Sequence, residues 1–387
     1  MTSTARLYYT DSYLRGWEAR VSEVSGNRVY LDRTAFYPSS GGQPFDLGLI
    51  GDSVIEDVID EGDRIAHVVA APVSAGVPVH CKIDWSRRFD HMQQHTGQHL
   101  LSAVLVELFG VQTVSFHLGS DLCTIDVATP SLEPAQIVKA ERRTNEIVFE
   151  NRQVGIAFAD NNEDLGLRKA SEREGELRIV SIEDLDRSAC GGTHVRSTAE
   201  IGPVAIRKLD KIRGNVRIEF LCGMRAIARA RADFEALSKI ARQFSSSLDD
   251  APAVSVANAE RLMELEKTHR KLAAEAAQRQ GRDLYTAADP GPDGLRRVIR
   301  DARIDDELRA IAQGFVAGPK AVFIALCTDP PSVLVAASKD SGVHAGELVK
   351  AAVTEQGGRG GGSPVLGQGS VRDVEALEKV RARLVAN

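Results

Sequence analysis

The apolar positions of the first 85 residues come in short runs. Val29–Leu31, Val54–Ile59, Ile65–Val69 and Val77–Ile83 read as strands, and turn formers such as Ser25-Gly26-Asn27 and Glu61-Gly62-Asp63 separate them. Residues 1–85 are therefore expected to form a small barrel or curled sheet. The period then changes. Met92, Leu100, Leu101, Val104, Leu105 and Leu108 recur at helical spacing, Asp90 and Gln93 make a capping-box-like pair ahead of them, and Gly110 is a natural stop. A second helix opens at Pro134 and runs to about Glu150. Short strands follow near Val154–Phe158, Leu177–Ile182, Val204–Ile206 and Val216–Leu221. Residues 86–223 thus mix helices and strands.

From Met224 to about Arg279 the chain is rich in Ala and charge, and only Ser245–Pro252 interrupts it. Two helices are predicted, so 224–282 reads as a helical spacer or dimerisation arm. Residues 283–387 alternate again. Strands are expected at Val298–Ile299, Ala321–Leu326 and Ser332–Ala337, and helices at Asp305–Phe315, Ala345–Glu355 and Asp373–Ala386. That pattern describes a small α/β domain whose oddity is the glycine run Gly357–Gly369.

Composition narrows this picture. The 387 residues are 43% hydrophobic and 26% charged, which excludes a wholly disordered chain. Aromatics are only 5%, so the cores must lean on aliphatic side chains. The formal net charge is −6, which argues against bulk binding of polyanions. One local stretch runs the other way. Ala205–Ala241 holds nine Lys/Arg against four acids, a net of +5. The five cysteines are widely spaced with no CxxC pair, which points to a reducing, cytoplasmic setting. No apolar leader opens the chain and no long apolar run suggests a membrane span.

Two constellations carry chemistry. His91, His95 and His99 recur every four residues, so neighbouring members share one helix face a turn apart and two of them can bind one metal ion. Spacing alone does not choose between His91/His95 and His95/His99, although His91 sits nearer the frayed helix start. Cys190 and His194 are separated by Gly-Gly-Thr, a spacing that closes a tight chelate on a loop. Together the two motifs supply N and S donors suited to one Zn2+ per chain. A third feature, Thr34 to Pro44, leads a strand into Gly41, Gly42 and Gln43. Its glycines allow a backbone to approach a ligand, though a β-turn is the commoner reason for such a pair.

Three ordered motifs, Phe36–Gln43, His95–Leu101 and Cys190–His194, resemble the editing domain of alanyl-tRNA synthetase and its free-standing relatives, the AlaX trans-editing proteins. They are also similar to the corresponding domain of threonyl-tRNA synthetase. The stretches Thr198–Pro203 and Arg217–Gly223 look like that family's closing strands, and the Gly357–Gly369 run resembles the last domain of alanyl-tRNA synthetase, shared with DHH-type phosphoesterases. The whole chain therefore looks like a long AlaX protein without an aminoacylation core.

The resemblance implies an α+β editing region, made of the small β-barrel and a zinc-binding α+β domain, then the helical spacer and a C-terminal glycine-rich α/β domain. It aligns His95 and His99 with the family ligands, adds Cys190 and His194, and leaves His91 accessory. It implies hydrolysis, without ATP, of mischarged tRNA(Ala) carrying serine, and secondarily glycine, in the service of translation fidelity. Thr34 and Gln43 are the candidates for recognising the serine hydroxyl. Arg207, Lys208, Lys211 and Arg213 are candidates for tRNA phosphates, as is Arg359 in a C-terminal domain expected to grip tRNA or to mediate a homodimer. No membrane or DNA partner is expected. An alternative reading is a non-catalytic, zinc-stabilised RNA-binding module. A polar Thr34–Gln43 loop facing the metal favours the enzyme, and an occluded one favours the module.

Overall fold

A computed structural model describes residues 3–160, 165–169 and 175–386. The chain forms two compact units, Met1–Lys239 and Ile240–Asn387. In the first, six antiparallel strands close into a barrel, in the order Gly16–Ser25, Arg28–Leu31, Ile65–Val69, Ser53–Asp60, Gly48–Ile50 and Pro78–Ile83. Four of these follow the predicted runs. The strands Gly16–Ser25 and Gly48–Ile50 are additional: in the first, Trp17, Ala19 and Val21 point inward between Glu18 and Arg20, and the charges and alanine dilute its β signal. The barrel core is mostly aliphatic, with Val21, Val29, Leu31, Ile50, Ile55 and Ile65 around Phe36.

The first helix, α1 (Trp85–Phe109), starts a turn and a half before the expected Asp90. Asp84 is its cap, accepting from the Arg87 N–H, while Asp90 lies inside the helix and pairs with Arg225 at 2.6 Å. Gly110 ends it in the left-handed conformation at φ 68°. From His91 to Leu105 every side of this helix is buried. Gln93, Gln94, His95, Thr96, Gln98 and His99 are therefore polar groups inside the protein, and each needs a partner.

Two sheets flank α1. One runs Val204–Ile212, Asn215–Cys222, Cys123–Val127 and Thr113–Leu118; the other runs Val154–Asp160, Glu176–Ile182 and Asp186–Ala189. The sequence reading omits Thr113–Leu118, Cys123–Val127 and Asp186–Ala189; in the first, Val114 faces solvent and blurs the alternation. α2 (Pro134–Glu150) closes this layer with a capping box at Glu133 and Gln136. α3 (Gly223–Gln243) and α4 (Ala251–Ala287) follow. α4 buries only Ala251, Ala277 and Gly281 and leaves Leu262, Leu265 and Leu272 exposed.

The second unit holds a five-stranded sheet ordered Arg296–Asp301, Ala321–Thr328, Pro331–Ala337, Leu366–Ser370 and Arg359–Gly362. α5 (Asp306–Val316), α6 (Ala345–Thr354) and α7 (Val374–Ala386) accompany it. The glycine run is a strand pair rather than a loop: Arg359–Gly362 and Leu366–Ser370 lie antiparallel. The reason for the glycines is steric. A methyl on Gly346 of α6 would stand 2.4 Å from the Gly362 carbonyl, and one on Gly367 2.4 Å from the Ala345 carbonyl. The helix start therefore lies directly on the hairpin backbone. Among the described residues no helix is long and apolar enough to cross a membrane.

Candidate metal centre

Helix α1 and the loop after the strand Asp186–Ala189 bring His95, His99, Cys190 and His194 together, with their ligand atoms all within 4.8 Å of one another. The Cys190 Sγ lies 3.5 Å from His95 Nε2 and 3.4 Å from His194 Nε2. A tetrahedral divalent ion held at the usual imidazole and thiolate distances has N–S edges of about 3.5 Å. The three imidazoles and one thiol thus fit such an ion in both donor chemistry and spacing. All but Cys190 are nearly sealed from solvent, at 3% exposure for His95, 5% for His99 and 2% for His194.

Each ring is aimed by a different partner on its outer nitrogen. The Gln43 carbonyl oxygen stands 2.9 Å from His95 Nδ1 and also accepts from the Thr193 N–H at 3.2 Å. Thr96 donates its hydroxyl to the Met92 carbonyl, so its oxygen is left to accept from His194 Nδ1 at 3.1 Å. His99 Nδ1 faces Asp186 Oδ2 at 3.4 Å, a looser approach that leaves this nitrogen without a well-directed hydrogen bond. For His95 and His194 the outer nitrogen is committed outward, and Nε2 is the nitrogen left for a ligand role.

The electrostatics match at two of the four ligands. Burial alone would raise the Cys190 thiol, but the imidazoles of His95 and His194 overcome it and hold it well below its ordinary value. Burial, reinforced by His95, pushes His194 down to about 3. Burial also pulls on His99, but Asp186 and Cys190 outweigh it and lift that ring to about 9. A thiolate at Cys190 and a neutral ring at His194 are the states a metal ion requires of its ligands, whereas His99, lifted to about 9, must give up a proton to ligate.

The loop around Cys190 is fixed from beneath. The buried Arg178 donates to the carbonyls of Cys190 at 2.6 Å, Gly192 at 2.9 Å and Tyr9 at 2.8 Å. Gly192 is dictated by contact, because a methyl there would lie 2.2 Å from the His95 ring. The ring of Phe116 stacks on His95 at 5.3 Å. Gly42 is needed for the same neighbour, since its Cβ would meet the Phe116 carbonyl at 2.7 Å. Gly41, exposed at φ 56°, completes the turn. The base of this loop is clamped by Arg88 and Asp46, a fully buried ion pair that also takes the Tyr37 N–H at 2.6 Å.

The predicted site residues separate here. Gln43 lies against the cluster but is 1% exposed, and its amide also donates to the Thr193 hydroxyl at 2.8 Å. Thr34 is fully buried in the barrel, 2.8 Å from His67 Nε2, and accepts from the Phe36 N–H at 3.1 Å. The expected hydroxyl partner for a substrate is therefore engaged with protein on both sides. His91 is buried outside the cluster; burial, then Arg87 and Arg225, push it down to about 3.

The basic candidates lie on the hairpin Val204–Ile212 and Asn215–Cys222. Arg207 pairs with Asp233 and Lys208 with Asp210, while Lys211 and Arg213 are exposed at its tip. Arg359 belongs to the second unit, where it lines a cavity of about 550 Å³ with Arg303, Ser332, Gln368 and Ser370. Sequence reasoning missed Thr96, Arg178 and Asp186, and read Gly192 and Thr193 only as the spacer of the Cys190–His194 motif. Only Asp186 carried a readable signal, since it sits at alternate positions with Ser188 and Cys190.

Fold and site together describe a protein whose first unit joins a β-barrel to an α+β layer carrying a His/Cys cluster that could hold a metal ion, and whose second unit is a glycine-threaded α/β sheet. The family model described as the threonyl and alanyl tRNA synthetase second additional domain matches residues 177–219, which include Cys190 and His194. The alanyl-tRNA editing protein AlaX-L of Pyrococcus horikoshii is 33% identical over 98% of this chain and 99% of its own length. The alanine–tRNA ligase of Pyrococcus furiosus is 32% identical over 99% of this chain but only 44% of the ligase. The alanyl-tRNA editing protein Aarsd1-B of Xenopus laevis is 37% identical over 53% of this chain. This chain belongs to the AlaX-L family of alanyl-tRNA editing proteins.

Proposed function

We infer that this chain is an aminoacyl-tRNA hydrolase that removes serine, and secondarily glycine, from mischarged tRNA(Ala). One observation carries the reading: a buried three-imidazole, one-thiol cluster with its ligand atoms all within 4.8 Å, in a chain similar end to end to an alanyl-tRNA editing protein. The physical need is plain. A pocket that admits alanine rejects an isostere with one more hydroxyl by only about 100-fold, so a second hydrolytic site must supply the rest.

The ion that the cluster suits is zinc, held by His95, His99, Cys190 and His194. When bound, it supplies a fixed positive charge beside the ester. Four protein donors match a filled tetrahedral shell, which suits positioning better than water activation. In this reading Gln43 keeps His95 in register, Arg178 keeps the Cys190 loop closed, and Gly41 with Gly42 brings bare backbone to the mouth of the site. Lys211 and Arg213 at the hairpin tip, and Arg359 with Arg303 in the second unit, meet tRNA phosphates with salt-dependent affinity. The exposed leucines of α4 suit a homodimer contact.

The test is deacylation of serine-charged and alanine-charged tRNA(Ala), with and without a zinc chelator. Cleavage of the serine ester alone, stopped by the chelator, is expected. Binding of tRNA without cleavage of either ester overturns the reading. That outcome selects a second one, a zinc-stabilised RNA-binding module, which the burial of both Thr34 and Gln43 favours.

A further inference from the structure

The strand Asp186–Ala189 alternates strictly. Asp186 and Ser188 are buried, Arg187 and Ala189 are exposed, and the next position on the buried side is Cys190. A metal ligand and a carboxylate four residues before it therefore project from one strand face. The carboxylate is held on two sides. Arg168 Nε donates to Asp186 Oδ1 at 2.7 Å, and the Ser188 hydroxyl donates to Oδ2 at 3.0 Å. Arg168 also donates to Ser188 at 3.1 Å and is itself tied through its N–H to the Arg187 carbonyl at 2.8 Å. What remains of Oδ2 faces His99 Nδ1.

The three rings are thus not equivalent. His95 and His194 rest on neutral acceptors, an amide and a hydroxyl. His99 alone faces a carboxylate, the 4% exposed Asp186. We propose that Asp186 is a positioning residue for the metal: anchored by Arg168 and Ser188, it sets the orientation and donor strength of His99, and so governs how tightly the ion is held. A carboxylate behind a ligating imidazole raises the basicity of that ligand, and a buried anion near the site offsets part of the charge of a divalent ion. The inference rests on the metal reading of the cluster, not on the identity of the substrate.

The experiment measures zinc affinity of the full chain by competition with a chromophoric chelator, and records the absorption spectrum of the cobalt(II)-loaded protein. Asp186→Asn is expected to weaken zinc by about 10–100-fold. In the cobalt form the thiolate-to-metal band from Cys190 persists while the ligand-field bands shift, a change that a general loss of stability does not produce. Ser188→Ala, which leaves the carboxylate but frees one side of it, gives a smaller loss. Unchanged affinity and spectrum in Asp186→Asn overturn the proposal. If circular dichroism shows that variant unfolded, Ser188→Ala and Arg168→Gln decide instead, and unchanged affinity in both overturns it. A wild type that takes up neither metal removes the centre altogether. A wild type that binds zinc, loses it on Asp186→Asn and yet cleaves no ester sustains this inference while ending the hydrolase reading.

Discussion

Two regions of the first unit bury histidine in quite different ways. Inside the barrel, His67 is sealed from solvent, with Nδ1 3.0 Å from the Val29 carbonyl and Nε2 2.8 Å from the Thr34 hydroxyl. A carbonyl only accepts, so Nδ1 carries the proton and Nε2 accepts from Thr34. Both nitrogens are satisfied and the ring has nothing left to offer. At the centre, His95 and His194 are buried just as deeply, but only Nδ1 finds an ordinary acceptor. Each Nε2 meets the Cys190 sulfur instead. Burial does not separate a structural histidine from a ligand. The second nitrogen does.

The comparison breaks most visibly at the shared sulfur. Cys190→Ala is expected to abolish stoichiometric zinc and deacylation together, read by metal analysis and ester hydrolysis. Full activity without zinc would return the cluster to a purely structural role. Gly192→Ala comes next. Its methyl has no room beside the His95 ring, so either the ring or the loop held by Arg178 must shift. Zinc affinity should fall at least as far as the roughly 10–100-fold typical of losing an outer partner, while the barrel stays folded.

The pair Gln43→Ala and Thr34→Val sharpens the contrast, because the two residues open and close one sequence motif. Gln43→Ala should lower zinc affinity by about 10-fold or more, since His95 loses its acceptor. Thr34→Val should leave zinc affinity untouched. It strands a buried ring nitrogen, so thermal or urea unfolding should show a loss of about 1–3 kcal/mol. A change in the ratio of serine to alanine ester hydrolysis in Thr34→Val, without loss of stability, would restore Thr34 to the substrate pocket.

The ligand set is legible in sequence because it is local. Three histidines at helical spacing and a Cys-Gly-Gly-Thr-His loop need no knowledge of the fold to suggest a metal. Choosing His95 and His99 over His91 required the resemblance, since periodicity treats all three alike. The outer partners are hidden for a physical reason. Gln43, Thr96, Asp186 and Arg178 reach the site from four different segments, and their pairing is set by packing between the barrel loop, α1 and the strand Asp186–Ala189. Four of the six barrel strands were readable from short apolar runs and the turn formers between them. The glycine run was not, because glycine signals freedom in a sequence, whereas here it marks close contact between α6 and a hairpin.

The effect furthest from the metal centre concerns pH and the ring that does no chemistry. Burial pushes His67 down to about 4, against 6.5 for a free histidine. Between those values the unfolded chain binds a proton that the folded barrel refuses, so stability rises with pH across that window and is lost as pH falls through it. The shift corresponds to about 3 kcal/mol between pH 7 and pH 4. His67→Gln should flatten this dependence in urea unfolding, even if it lowers stability at pH 7. The zinc content of that variant should match the wild type. A fall in zinc would mean that the barrel histidine and the centre are coupled through the segment from Thr34 to Gln43, and that two histidines told apart by one free nitrogen belong to a single system.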